Sequence, residues 1–291
     1  MTVKNLKTLH MTRPLGIDVN PYFSWMLESA EPNTCQKSYH LTVTDESGSL
    51  CMDTGIQEDD KSTYHPYQGA PLKSRTRYSL NVTVTDNHGG QASASSWFET
   101  ALLSEEDWSA DWAKSPLKTK KRKPGFGKQS PATMFRQNFG LREKPIKARL
   151  YVTCHGTYQL YVNGTRPDER YFAPEHTVYE KYLCYQTYDV TALCQEEENT
   201  LSMYVGDGWY MCPQTLPNMK KNDQTHAVLF QLEATYSDGS QDTICSGTNT
   251  KASYGPVLSS DLFAGEQYDA TKELDGWTKN TFDDSAWTPC K

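Results

Sequence analysis

The sequence predicts an all-β protein made of two β-sandwich domains. Three observations lead there. Apolar and polar residues alternate at period two through most of the chain, as in Arg149–Cys154 and Tyr158–Val162, which is the pattern of half-buried strands. Turn signals such as Asp45-Glu46-Ser47-Gly48, Asp86-Asn87-His88-Gly89-Gly90 and Tyr236-Ser237-Asp238-Gly239 punctuate the runs, as hairpin connections require. Strong helical periodicity is nearly absent. The 291 residues suit about two domains, each long enough to bury its own core.

In chain order, residues 1–103 form the first expected domain. Tyr39–Thr44, Tyr78–Thr85 and Ser96–Thr100 are its clearest strands, and their spacing is the rhythm of a sandwich. Trp25 and Tyr78 resemble the core tryptophan and late-strand tyrosine of an immunoglobulin/fibronectin-III-like sandwich, and both also fit ordinary core positions. Residues 104–131 read as a linker. Ser104 followed by Glu105, Glu106 and Asp107 predicts a short capped helical turn. The stretch 113–131 is a Pro- and Gly-containing basic loop around Lys120-Lys121-Arg122-Lys123. Residues 132–291 form the second expected domain, a jelly-roll sandwich. Its strand candidates are Thr133–Phe139, Lys147–Cys154, Thr157–Val162, Gln186–Val190, Thr200–Val205, Ala227–Tyr236 and Gln241–Ser246. Asn163-Gly164 ends one of them with a dipeptide suited to positive φ.

Composition removes several function classes. A net charge of −7 argues against nucleic acid as a partner, so the basic loop reads as solvated. No apolar run approaches the roughly 18 residues of a membrane span, and the N-terminus has no apolar signal segment. The eight cysteines, Cys35, Cys51, Cys154, Cys184, Cys194, Cys212, Cys245 and Cys290, form no C-x-x-C pair and have no zinc-like spacing. They are expected as reduced thiols in a cytoplasmic protein; the alternative is an exported protein with disulfides. The aromatic residues include 18 tyrosines and 7 tryptophans, a bias that fits strands and sugar or protein surfaces.

The best site candidate is the rim where strands stop. Gly206-Asp207-Gly208 ends the run Leu201–Val205 and leads into Trp209-Tyr210. Glycine lets backbone approach a ligand. Asp207 offers acceptors, Asn163 both donates and accepts, and Trp209 and Tyr210 offer flat amphipathic faces. A hydrolase reading needs two carboxylates across a scissile bond; its candidates are Asp207, Glu266 and Asp269, with Asp189 better explained as a turn cap. His155 and His176 are scattered rather than clustered. No G-x-S-x-G elbow, P-loop or H-E-x-x-H is present. Asn81-Val82-Thr83 and Asn163-Gly164-Thr165 match the glycosylation pattern, which carries nothing in a cytoplasmic protein.

Several stretches also carry a family resemblance. Pro14–Asp18 (PLGID), Phe23–Trp25 (FSW), Thr76–Tyr78 (TRY), Phe98–Thr100 (FET), Gly206–Tyr210 (GDGWY), Gly265–Ala270 (GEQYDA) and Phe282–Trp287 (FDDSAW) fall in the order found in bacterial α-L-rhamnosidases of glycoside hydrolase family seventy-eight. The chain resembles their N-terminal accessory region. That resemblance implies a galactose-binding-like second domain, a rhamnose-containing glycan as partner, and catalytic acids in a downstream helical barrel. It raises calcium as a cofactor without assigning ligands; by side-chain chemistry, the oxygens of Asn163 and Asp207 are the candidates to hold it. Relatives often have Gly-Trp where this chain has Glu175-His176. The leading expectation is therefore a carbohydrate-binding region, with Asn163, Asp207, Trp209 and Tyr210 as the sugar contacts. A complete glycosidase and a structural spacer or interaction module are the alternatives.

Overall fold

The computed structural model describes residues 1–118, 130–211, 225–262 and 265–291. Lys120–Lys123 of the basic loop, and Cys212, lie outside the described residues. The chain divides into two compact units, Met1–Trp108 and Ser109–Lys291.

The first unit has seven strands: β1 (Thr2–Thr8), β2 (Tyr22–Glu28), β3 (Gln36–Thr44), β4 (Leu50–Gln57), β5 (His65–Pro66), β6 (Arg77–Asp86) and β7 (Gln91–Glu99). They form a three-stranded sheet, β1-β2-β5, and a four-stranded one, β4-β3-β6-β7. In β6, Tyr78, Leu80, Val82 and Val84 are buried while their neighbours are not, so the period-two pattern sets which face meets the core. Trp25 and Tyr78 both sit in that core. The Trp25 Nε1–H donates to Gln36 Oε1 at 2.8 Å, which satisfies a polar atom that would be costly to bury alone. Tyr78 stacks on Phe98 at 5.2 Å, and its hydroxyl accepts from the Lys73 N–H at 2.8 Å. The expected helical turn spans Glu105–Asp107 with Ser104 as its cap. It belongs to this unit because the Asp107 carboxylate accepts from Ser74 Oγ at 2.5 Å and from an Arg75 Nη at 2.6 Å.

The second unit contains β8 (Ala113–Lys114), β9 (Thr133–Leu141), β10 (Lys147–Cys154), β11 (Thr157–Val162), β12 (Gln186–Asp189), β13 (Glu197–Gly206), a four-residue helix α1 (Gly208–Met211), β14 (Ala227–Thr235), β15 (Gln241–Cys245), β16 (Lys251–Tyr254), β17 (Val257–Asp261), β18 (Gly265–Tyr268) and β19 (Thr288–Pro289). One sheet runs β12-β10-β14-β15 with β8 beside β14; the other runs β11-β13-β9-β16-β19. Leu150 and Val152 of β10 share one core with Leu160 of β11 and Met203 and Val205 of β13. Each such buried side chain stabilises the fold by about 1.5–3 kcal/mol. β17 and β18 form a separate two-stranded ribbon. Among the described residues no helix is long and apolar enough to cross a membrane.

One buried cation closes this unit. Arg136 of β9 has no solvent exposure. Its guanidinium donates to the carbonyl oxygens of Lys279 at 2.8 Å and Phe282 at 3.3 Å, and to Asp284 Oδ2 at 3.4 Å. Lys251 Nζ reaches Asp284 Oδ1 at 2.6 Å. The Phe282–Trp287 stretch is thus fastened to the sheet from beneath.

Candidate functional site

An open cleft of about 490 Å³ lies on the second unit. Its floor is the start of β11 and the end of β13, through Thr157, Gln159, Gly206 and Gly208. Ser260, Asp261, Glu266 and Tyr268 of the β17–β18 ribbon form one wall, and Tyr171 and Phe172 of the β11–β12 connection form another.

The glycines of the floor are required by close packing. A Cβ on Gly206 would stand 2.6 Å from Ser260 Oγ, and one on Gly208, whose φ is +52°, would stand 2.9 Å from the Thr157 nitrogen. Glycine here lets chain approach chain under the cleft. Tyr204 turns its hydroxyl to the Val257 N–H at 2.9 Å, which ties the ribbon to the sheet; burial pushes this phenol up to about 12. Tyr268 is half exposed, and its hydroxyl donates to Glu273. Tyr171 is held from behind by the Arg166 guanidinium, 4.8 Å over its ring. That hydrogen-bonded contact also raises the arginine above its ordinary value. Among the described residues the only charged side chains lining the cleft are Asp261 and Glu266. Its field therefore disfavours anions. Aromatic faces beside carboxylate and amide groups can hold a neutral molecule with apolar faces and many hydroxyls.

The four expected sugar contacts take different places. Asn163 and Asp207 are not brought together. β11 and β13 are antiparallel, with Val162 opposite Leu201 and Thr157 opposite Gly206. Asn163 is level with Thr200, seven residues before Asp207, so the two sit beyond opposite ends of the pair, about 23 Å apart along it at roughly 3.3 Å per residue. Asn163 has a φ of +50° in the expected turn. Its Oδ1 accepts from the Thr200 N–H at 2.8 Å, and its Nδ2 donates to Leu193 O at 2.9 Å and Asn199 Oδ1 at 2.8 Å. Both ends of the amide are used within the fold. Asp207 is fully buried behind the floor, with His226 Nε2 3.2 Å from its Oδ1; His226 Nδ1 lies 2.9 Å from Thr133 Oγ1. A calcium ion needs six to eight oxygens around one point, and Asn163 and Asp207 do not supply such a point together. No cluster of three metal-binding side chains occurs among the described residues. Tyr210 is buried and stacks on His155 at 4.4 Å, while Trp209 is half-buried and meets Phe172 at 5.6 Å.

The candidate acids separate as well. Asp269 caps the helical turn Ala270–Lys272 and bonds Thr271 and Lys272; those bonds, Lys272 foremost, hold its carboxyl down at about 2. Asp189 accepts from Thr191 Oγ1 at 2.6 Å and pairs with Arg149 at 2.9 Å, as a turn-capping residue does. Of the three hydrolase candidates only Glu266 faces the cleft. Tyr171, Phe172, Ser260, Asp261 and Tyr268 were not singled out from sequence. The signal nearest to them was GEQYDA, which contains Glu266 and Tyr268.

Comparisons with known proteins extend these observations. The family described as the Rha78A-like N-terminal immunoglobulin domain matches residues 3–104. The α-L-rhamnosidase N-terminal domain family matches residues 143–291. An α-L-rhamnosidase of Formosa agariphila is 33% identical over 293 residues, covering 94% of this chain and 31% of the relative. One of Streptomyces avermitilis is 26% identical, covering 96% of this chain and 43% of the relative. The solved α-L-rhamnosidase of Dictyoglumus thermophilum superposes with a TM-score of 0.88 at 30% identity, covering 99% of this chain and 34% of its own. The Streptomyces avermitilis enzyme, solved with L-rhamnose, gives 0.87 at 25% identity, covering 44% of its own chain. The chain spans between about a third and less than half of the length of these relatives. With two sandwiches matched in order and the family match covering residues 143–291, the chain belongs to the α-L-rhamnosidase N-terminal domain family and is an N-terminal region of glycoside hydrolase family seventy-eight.

Proposed function

We propose that the second unit binds rhamnose-containing glycans, and that the cleft between the β11/β13 floor and the β17–β18 ribbon is where the sugar sits. The observation that carries this reading is the cleft's lining: exposed aromatic rings, an amide and two carboxylates, with no cationic side chain among the described residues. A carboxylate accepts from a pair of sugar hydroxyls, and a 6-deoxy sugar offers a methyl-bearing face to Tyr268 or Phe172. Glu266 takes the place that the sequence reading gave to Asp207. The activity of the α-L-rhamnosidase relatives belongs, in this proposal, to a catalytic domain that works alongside this region. Asp261 and Glu266 come from one ribbon and stand on one side of the cleft, whereas glycoside hydrolysis needs carboxylates flanking the bond.

The test is calorimetric titration of L-rhamnose into the wild-type chain and into Glu266→Gln and Tyr268→Ala. Both residues are exposed, so neither change threatens the fold. The expected Kd is on the order of 0.1–1 mM, or about −4 to −5.5 kcal/mol. Glu266→Gln should weaken it by about 1.5–3 kcal/mol, the worth of a hydrogen bond to a charged group. No heat from wild type at tens of millimolar sugar would leave the region as a spacer or protein-interaction module.

A further inference from the structure

In the antiparallel β17–β18 ribbon Ser260 stands directly opposite Glu266. Side chains opposite each other project from one face of the pair, with Cβ atoms about 4.5–5.5 Å apart. Tyr268, two residues beyond Glu266, shares that face. All three line the cleft, so the ribbon turns this face to the β11/β13 floor.

The floor makes room for one atom of that face. The nearest atom to a Cβ on Gly206 would be Ser260 Oγ, at 2.6 Å; the next, Ser260 Cβ and Thr157 Oγ1, stand at 3.7 and 4.0 Å. Gly206 has no positive φ that would require glycine on its own account. Glycine weakens a strand and marks the close approach of another group, and here that group is the Ser260 hydroxyl. The fold does not use this hydroxyl. Among the described residues Ser260 Oγ, Thr157 Oγ1 and the Glu266 carboxylate take part in no hydrogen bond. Other polar groups of the same lining are engaged: the Tyr204 hydroxyl with the Val257 N–H, Tyr268 with Glu273, and Gln159 Oε1 with the Tyr161 hydroxyl at 3.0 Å. β13 thus gives up a side chain to seat a hydroxyl that bonds nothing in the protein, and the use of that hydroxyl lies with a ligand.

We propose that Ser260 and Glu266 hold hydroxyls on adjacent carbons of one sugar ring, and that Gly206 is the positioning residue that seats the Ser260 hydroxyl. This rests on the cleft reading above and narrows its ligand class to sugars with two neighbouring unsubstituted hydroxyls. The carboxylate only accepts, so its hydroxyl donates; the serine can do either. Two side chains rooted opposite each other on one ribbon face converge on neighbouring hydroxyls, and Tyr268 on the same face is left to meet an apolar part of the ring.

The experiment titrates L-rhamnose and its 2-deoxy, 3-deoxy and 4-deoxy analogues into wild type, Ser260→Ala, Glu266→Gln and Gly206→Ala, with thermal melts to show that each is folded. Ser260→Ala should weaken L-rhamnose about threefold to tenfold, the worth of one hydrogen bond, and leave one deoxy analogue unaffected, because the hydroxyl it reads is already gone. Glu266→Gln should spare a different analogue, one lacking the hydroxyl on a neighbouring carbon. Gly206→Ala pushes the Ser260 hydroxyl aside and should reproduce the Ser260→Ala pattern; if it does not fold, Ser260→Ala alone decides. L-rhamnose binding that Ser260→Ala does not change, or variants that pick out the same or non-adjacent hydroxyls, would overturn the proposal and leave the cleft standing. Wild-type affinity in a folded Gly206→Ala would overturn the role of Gly206. No binding of L-rhamnose by wild type would remove the cleft reading and this one together.

Discussion

His226 Nε2 lies 3.2 Å from Asp207 Oδ1, with both side chains buried behind the floor of the cleft. The aspartate between two glycines therefore anchors the chain where β13 turns into α1. Asp207→Ala should lower stability by about 1–3 kcal/mol, because it strips the buried His226 Nε2 of its carboxylate and leaves the ring only Thr133. A urea titration followed by tryptophan fluorescence checks this; an unchanged midpoint would detach Asp207 from the fold.

Arg136 and Asp284 set a second expectation. Arg136→Met removes the donor that holds the carbonyl oxygens of Lys279 and Phe282 and leaves Asp284 with Lys251 alone. Breaking a buried pair costs about 3–5 kcal/mol, and the surviving lysine contact puts this case at the lower end. Limited proteolysis should then cut first between residues 279 and 287, and wild type should resist there. Equal resistance in the variant would contradict the fastening role.

The first unit should lose stability in acid through Asp107. Burial works against ionisation there, but bonds from Ser74 and Arg75 outweigh it and hold the carboxyl below its ordinary value. The folded chain thus binds this proton less readily than the unfolded chain does. The contribution is fully present above the usual carboxylate range and is lost as pH falls through the depressed value. Asp107→Asn should lower the melting temperature at neutral pH and flatten its decline in acid. A variant with the wild-type acid slope would assign that slope to other groups.

Thiol chemistry gives a further test. No disulfide joins any of the seven described cysteines. Cys35 is exposed, whereas burial pushes the Cys194 thiol up to about 11 and the Cys290 thiol up to about 12. A maleimide should label Cys35 quickly in the native protein and reach Cys194 and Cys290 only on unfolding. Without reductant, denatured protein should titrate at least these seven thiols. A lower count would point to disulfides and an exported protein, against the cytoplasmic location expected from sequence.

Much of the architecture is legible in the sequence because strand patterning is local. Trp25, Tyr78, the Asn163-Gly164 turn and the Asp189 cap each follow from residue type and immediate neighbours. The site is less legible because it is assembled across the sheet. Asn163 and Asp207 both end alternating runs, and that similarity suggested one rim. The antiparallel pairing of β11 with β13 puts those ends at opposite edges, which no spacing between the two residues reveals. Phe172 was missed for a related reason: the β11–β12 connection has no periodicity, yet Ala173 returns to bridge Tyr158 and carries the ring to the cleft.

The most direct test of the central claim is a map of backbone amide shifts during titration with L-rhamnose. The cleft reading predicts that the perturbed amides cluster at Thr157, Gln159, Gly206, Gly208 and Glu266, while those around Asn163, at the far end of the β11–β13 pair, stay still. Shifts centred on Asn163, or none at saturating sugar, would contradict it.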